Sequence, residues 1–102
     1  MNVRKIDTVE FAKALADETR QRIMRVCCCR QLSVNEIVEI IQVTQPTVSH
    51  HLGILRQAGL VTVQRHGRQI LYSLNQKRLA QACCNVAENF APDQKVVLVK
   101  ES

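Results

Sequence analysis

Apolar positions recur at helical spacing through the first half of the chain, switch to alternation near residue 60, and return to helical spacing after residue 75. Val9, Ala12, Leu15 and Ala16 form a stripe that predicts a first helix from about 7 to 16. Asp17, at the head of DETR, is placed to cap a second helix running to about Cys29. Ser33 followed by Glu36 is a capping-box signature, and Val34, Ile37, Val38 and Ile41 mark a third helix ending near Gln42. Thr44 caps a fourth with Pro46 in its first turn, where a missing N–H costs little; Val48, Leu52 and Leu55 are its buried stripe and Gly59 its stop. Leu60, Thr62 and Gln64 then alternate with Val61, Val63 and Arg65, and beyond His66-Gly67 the run QILYSL continues in β-favouring residues, predicting a hairpin. A last helix spans about Gln76 to Phe90, striped at Leu79, Ala82, Cys83, Val86 and Phe90 and ended by Pro92. The fold class is mainly α with a small β-hairpin: one domain over residues 1–91 and a tail, 92–102, with strand-like composition in KVVLVKES but no evident partner.

The chain has 102 residues, 46% of them apolar, enough for one modest core. No stretch approaches the roughly 18 apolar residues of a membrane span, and MNVRKIDTVEF lacks the apolar centre of a secretion signal. The expectation is a cytoplasmic protein without a membrane partner. In that compartment five cysteines are expected as free thiols, open to burial, soft-metal binding or redox chemistry.

Charge changes the picture once it is located. The net charge is +5, and between Thr44 and Arg78 stand five cations, Arg56, Arg65, Arg68, Lys77 and Arg78, with no Asp or Glu. Elsewhere acids and bases balance. The same segment holds all three histidines, His50, His51 and His66. Such segregation fits a polyanionic partner, double-stranded DNA above all.

Two short helices joined by a tight turn, the second opening on polar residues and followed by a basic hairpin, make a winged helix-turn-helix. The second helix must be held to the core on one face and carry short hydrogen-bonding side chains at its N-terminus, so that the backbone approaches the bases. Gln45, Thr47, Ser49 and His50 satisfy this, with Gln45, Ser49 and His50 as base readers; Arg56, nearer the helix end, suits a phosphate. At the hairpin tip RHGR, Arg65 and Arg68 flank a glycine-containing turn with His66, the arrangement by which a wing reaches phosphates or a minor groove.

Four motifs in order, ALADETRQRIMRV, LSVNEI, TQPTVSHHLGILRQAGLV and VQRHGRQILYSL, give residues 8 to 90 a resemblance to the ArsR/SmtB family of dimeric transcriptional repressors. The resemblance implies a homodimer held by the first and last helices, bound to a palindromic operator and released by an inducer. The apolar stripe of the last helix, too long for so small a core to cover, supports the dimer independently. One family site for soft metals uses a CVC motif at the start of the third helix, where this chain has Ser33 and Asn35. Another uses His and acidic ligands in the last helix, which here has no His and a single Glu88.

Thiols remain: Cys27, Cys28 and Cys29 closing the second helix, and Cys83 and Cys84 in the last. Three successive helical residues fan through roughly 200° and cannot converge on one ion, so a site would combine the two segments. Cys83 falls on the apolar stripe and is expected to be buried, Cys84 points away, and Cys27 shares a face with Ile23. Arg25 and Arg30 flank the triplet and could favour thiolates, against the effect of a helix C-terminus. The chemistry divides between a soft ion such as arsenite held by two or three sulfurs and a redox pair bridged as a disulfide or polysulfide, with the soft ion favoured. No constitutive cofactor is implied. A small thiol oxidoreductase is disfavoured: there is no CxxC and no glycine-rich phosphate loop, and the basic segment has no carboxylate to orient its histidines. A winged-helix module binding only protein would not need the acid-free segment.

Overall fold

A computed structural model of the chain describes residues 7–94, so the strand-like run from Lys95 lies outside the described residues. The elements are α1 (Thr8–Leu15), α2 (Glu18–Val26), α3 (Val34–Ile41), α4 (Gln45–Gln57), β1 (Val61–His66), β2 (Gln69–Leu74) and α5 (Gln76–Phe90). Together they form a winged helix-turn-helix: α3 and α4 are the helix pair, β1 and β2 the wing, and α1 packs against α5.

Local chemistry sets most boundaries. Asp17 accepts the Arg20 amide at 3.0 Å. Ser33 and Glu36 close a reciprocal capping box, with Glu36 N–H to Ser33 Oγ at 3.2 Å and Ser33 N–H to Glu36 Oε1 at 2.8 Å. Thr44 sits at the N-cap of α4 but gives its hydroxyl to Thr47 Oγ1, 3.0 Å away, and not to the helix end. At the other end of α4, Gly59 takes φ 79° while Leu60 N–H reaches the Leu55 carbonyl and Gly59 N–H that of Arg56, both at 2.9 Å. This is a Schellman stop, and it drops Leu60 fully into the core.

Phe11, Ile23, Ile37, Val48, Leu52, Leu55 and Leu60 fill that core, drawing on α1 to α4 and the entry to the wing. The wing is antiparallel, with Val61 opposite Leu74, Val63 opposite Tyr72 and His66 opposite Gln69. Its two-residue turn is Gly67-Arg68, with Gly67 at φ 62°, so His66 ends a strand and Arg68 itself stands in the turn. A third short edge lies along β2, where Leu32 and Tyr72 exchange backbone hydrogen bonds of 2.9 and 2.7 Å.

Two expectations fail. The second helix ends at Val26, not near Cys29: the Cys27 carbonyl is taken by Leu74 N–H at 3.0 Å, and Cys29 turns to the left-handed φ of 70°. Cys83 is exposed, because Ala82 at 1% exposure marks the inner face of α5 and Cys83 lies 100° further round, while Cys84 is half-buried. Among the described residues, no helix is long and apolar enough to cross a membrane.

Candidate functional site

The candidate reading head is α4, the second helix of the helix-turn-helix. Val48, Leu52 and Leu55 are each no more than 1% exposed, and the opposite face presents Gln45, Thr47, Ser49 and His50 to solvent. Its first turn holds no acid, leaving the positive end of the helix dipole free to favour an anion. Gly53, one turn beyond Ser49 and His50, is exposed, and a Cβ there would meet nothing within 4 Å. A helix-interior glycine costs about 0.5–1 kcal/mol against alanine, and that unfavourable choice in HHLGIL is the signal that flags a bare strip on the reading face. Arg56 is exposed in the last turn. On the wing, Arg65, His66 and Arg68 are all exposed, with His66 Nε2 3.1 Å from Gln64 Oε1.

Arg20, which motif reading passed over, positions this head. From α2 its guanidinium donates to the Ala14 carbonyl at 2.7 Å and the Lys13 carbonyl at 2.9 Å, tying down the end of α1, and lies 3.0 Å from His51 Nδ1 on α4. A guanidinium can only donate, so Nδ1 accepts and the imidazole proton sits on Nε2, facing Asp17 Oδ1 at 3.9 Å. Burial holds His51 below its ordinary 6.5; Asp17 opposes this, while Arg20 and His50 add to it. The Arg20 amide, and to a lesser degree His51 and the Arg20 charge, keep the Asp17 carboxyl below its usual value although partial burial raises it. The unfolded state therefore binds more protons than the folded one as pH falls through 6.5, and stability falls with it. The melting midpoint should drop on acidification from pH 7.5 to 5.5, and a His51→Gln variant should show a shallower drop; equal slopes in a thermal-melt series would refute the assignment.

The thiols occupy a turn, not a helix. Cys27 is fully buried beneath the wing, and burial pushes its thiol up to about 11, with Arg30 opposing weakly. Arg30 folds back to donate to the Val26 carbonyl at 2.8 Å, capping α2. Cys28 and Cys29 are exposed, their sulfurs 3.2 Å apart, and Gln76 at the start of α5 donates to Cys29 Sγ at 3.3 Å and Cys28 Sγ at 3.7 Å. The proton shared with Cys29 holds the Cys28 pKa above the ordinary thiol value. Cys83 lies seven residues beyond Gln76, about 10 Å along the helix at ~1.5 Å per residue. Among the described residues no three or more His, Cys, Asp or Glu side chains gather into a metal-holding group, so the five cysteines do not converge within one chain. Cys27→Ser should cost about 1–3 kcal/mol by burying a hydroxyl in an apolar site, whereas Cys28→Ser or Cys29→Ser should stay within about 0.5 kcal/mol; urea unfolding measures both.

Comparison with known proteins places the arrangement. Residues 17–63 match the family described as bacterial regulatory protein, arsR family. The arsenical resistance operon repressor of Staphylococcus xylosus is 33% identical over 79 residues, covering 78% of this chain and 74% of that protein. The chain belongs to the ArsR family. A further ArsR-family relative, the HTH-type transcriptional repressor SmtB of Mycobacterium tuberculosis, is 38% identical over 82% of this chain, which spans only 62% of its length. The ArsR-like transcriptional regulator from Rhodococcus sp. RHA1 superposes with a TM-score of 0.76 at 24% identity, over 84% of this chain and 80% of that one, and bears out the fold. The relatives named here are transcriptional repressors and regulators, not enzymes. In this chain the thiol turn lies against the wing, where Cys27 and Leu32 share backbone hydrogen bonds with β2 and Gln31 meets Gln64.

Proposed function

We propose that the chain is a dimeric transcriptional repressor that holds an operator with α4 and the wing and lets it go when a thiophilic inducer binds Cys28 and Cys29. One observation carries this reading: two exposed sulfurs 3.2 Å apart stand in a turn whose backbone is bonded to the wing strand. Gln45, Ser49 and His50 read base edges, Thr47 and Arg56 serve phosphates, and Arg65, His66 and Arg68 take the flanking backbone or minor groove. The dimer is favoured by an apolar groove of about 590 Å³ between α1 and α5, beside which Val9 is 58% and Phe90 76% exposed. Such surface is costly to leave in water.

The inducer favoured is arsenite or another soft metal ion. Soft thiolates select soft centres, and the Staphylococcus xylosus relative is itself named for arsenical resistance. Ligation would pull the Cys28-Cys29 turn together and, through the bonds from Leu74 to Cys27 and between Leu32 and Tyr72, shift the wing that carries Arg65 and Arg68. A differential affinity of about 1–3 kcal/mol between the two states changes operator binding roughly 5–150-fold. The sulfur spacing also suits a redox response, in which an oxidant or persulfide joins the two cysteines.

Anisotropy of a labelled promoter fragment tests the whole reading. Binding should weaken steeply with salt, and arsenite, cadmium or a persulfide donor should then release the DNA according to which chemistry operates. A salt-independent affinity, or no release by any of the three, would remove the repressor and the sensor respectively.

A further inference from the structure

Among the described residues, the Nε of Arg78 in the first turn of α5 is the one buried side-chain nitrogen or oxygen without a hydrogen-bond partner. A buried donor lacking an acceptor is unfavourable and calls for a physical reason. The guanidinium lies against Gly59, at the stop of α4: Nε, Cζ and Nη2 stand 2.9, 3.3 and 3.5 Å from where a Cβ on that glycine would be. Three atoms of one plane at such similar distances mean that its face rests on the glycine, with the N–H groups directed along the plane. Asn75 accepts the Arg78 amide at 3.1 Å and so caps α5 itself. Asn75, Lys77, Arg78 and Gln81 then wall a notch of about 290 Å³. Neither cation has an acid near it in sequence: residues 44–78 contain none, and one turn on the chain reads Ala80, Gln81 and Ala82.

We propose that this notch is a site for a phosphate group, taken as free phosphate or as a small phosphate monoester. Arg78 presents its planar fork to two oxygens, Lys77 supplies a second positive charge, and the side-chain amides of Asn75 and Gln81 donate to the remaining oxygens. The buried Nε gains its acceptor when an oxygen enters along the guanidinium plane. Two cations match the near-double charge of a phosphate monoester, whereas a carboxylate leaves one cation unanswered. The operator backbone is the other source of phosphate, and the fold turns the notch away from it. Gly59 stands ten residues beyond Ser49, about 15 Å along α4 at ~1.5 Å per residue. Asn75 follows the base of the wing, about 20 Å from Gln69 at the tip at ~3.3 Å per residue. The notch therefore lies where α4 stops, β2 leaves the wing and α5 begins, so an occupant would hold reading helix, wing and last helix at one point. This inference is independent of the thiol reading.

Amide proton–nitrogen NMR spectra of the full-length protein, titrated with inorganic phosphate and with glycerol phosphate at constant ionic strength, test the site. Both probes should give saturable shifts at Lys77, Arg78 and Gln81, and acetate should bind about tenfold more weakly. Arg78→Gln should weaken phosphate binding about tenfold. Lys77→Gln, at an exposed position that leaves packing alone, should weaken it about threefold, and Arg65→Gln with Arg68→Gln should leave it unchanged. Equal affinity in the unaltered protein and both notch variants, or acetate binding as tightly as phosphate, would overturn the site. Repeating the titration with saturating promoter duplex decides the source. Phosphate that still binds at residues 77–81 supports a free ligand, whereas its displacement would give the notch to the DNA backbone and sink the proposal.

Discussion

Operator DNA should stay bound to a Cys28→Ser, Cys29→Ser double variant at inducer concentrations that strip it from the unaltered protein. Both side chains are exposed, so the fold and the reading head are left intact and affinity without inducer should move less than about twofold, within the small effects of surface substitutions. A serine hydroxyl is a hard, weak donor that gives a soft centre nothing to replace the thiolate. The loss is therefore in the response: the concentration for half-release should rise on the order of 10²-fold, the full size of the coupling expected here. Cys83→Ser with Cys84→Ser is the matched control, since those two lie about 10 Å further along α5 at ~1.5 Å per residue. If the α5 variant goes deaf and the turn variant does not, the sensor lies on the last helix.

The wing carries the second large effect. Arg65 and Arg68 are exposed in a segment, 44–78, with no carboxylate to neutralise them. On the duplex each would displace condensed counterions. Arg65→Ala with Arg68→Ala should flatten the slope of log affinity against log salt by about 1 for every arginine lost on each wing. Affinity at physiological salt should fall on the order of 10²-fold, while preference among operator variants changes little, since phosphate contacts position and do not specify. A Gln45→Ala protein should do the opposite, losing discrimination at one base position with its salt slope kept. Unchanged salt slopes in the double arginine variant would take the wing off the DNA.

Where caps and stripes act within a few residues, the fold was legible. Asp17, Ser33 with Glu36, Pro46 and Gly59 fix the ends of α2, α3 and α4 through bonds to near neighbours, and the alternation from Leu60 placed the hairpin. The end of α2 was not legible, because it is set by Leu74, nearly fifty residues away in sequence, claiming the Cys27 carbonyl. Cys83 misled for a related reason: an apolar stripe five residues wide exceeds the face α5 buries in one chain, and nothing local says which edge stays out. The candidate site divides the same way. Gln45 to His50 follow from spacing along one helix, whereas the Arg20–His51 contact and the Gln76–Cys29 contact join residues 31 and 47 positions apart.

Cys29 stands at φ 70°, a conformation that costs an L-residue with a side chain about 1–2 kcal/mol and a glycine almost nothing. Cys29→Gly should therefore raise the thermal midpoint of the protein, as differential scanning calorimetry would show, while removing half of the sulfur pair. A library selected for heat resistance alone would enrich that change. On the proposed reading, it would yield a hardier protein that keeps its operator and no longer answers a thiophilic inducer.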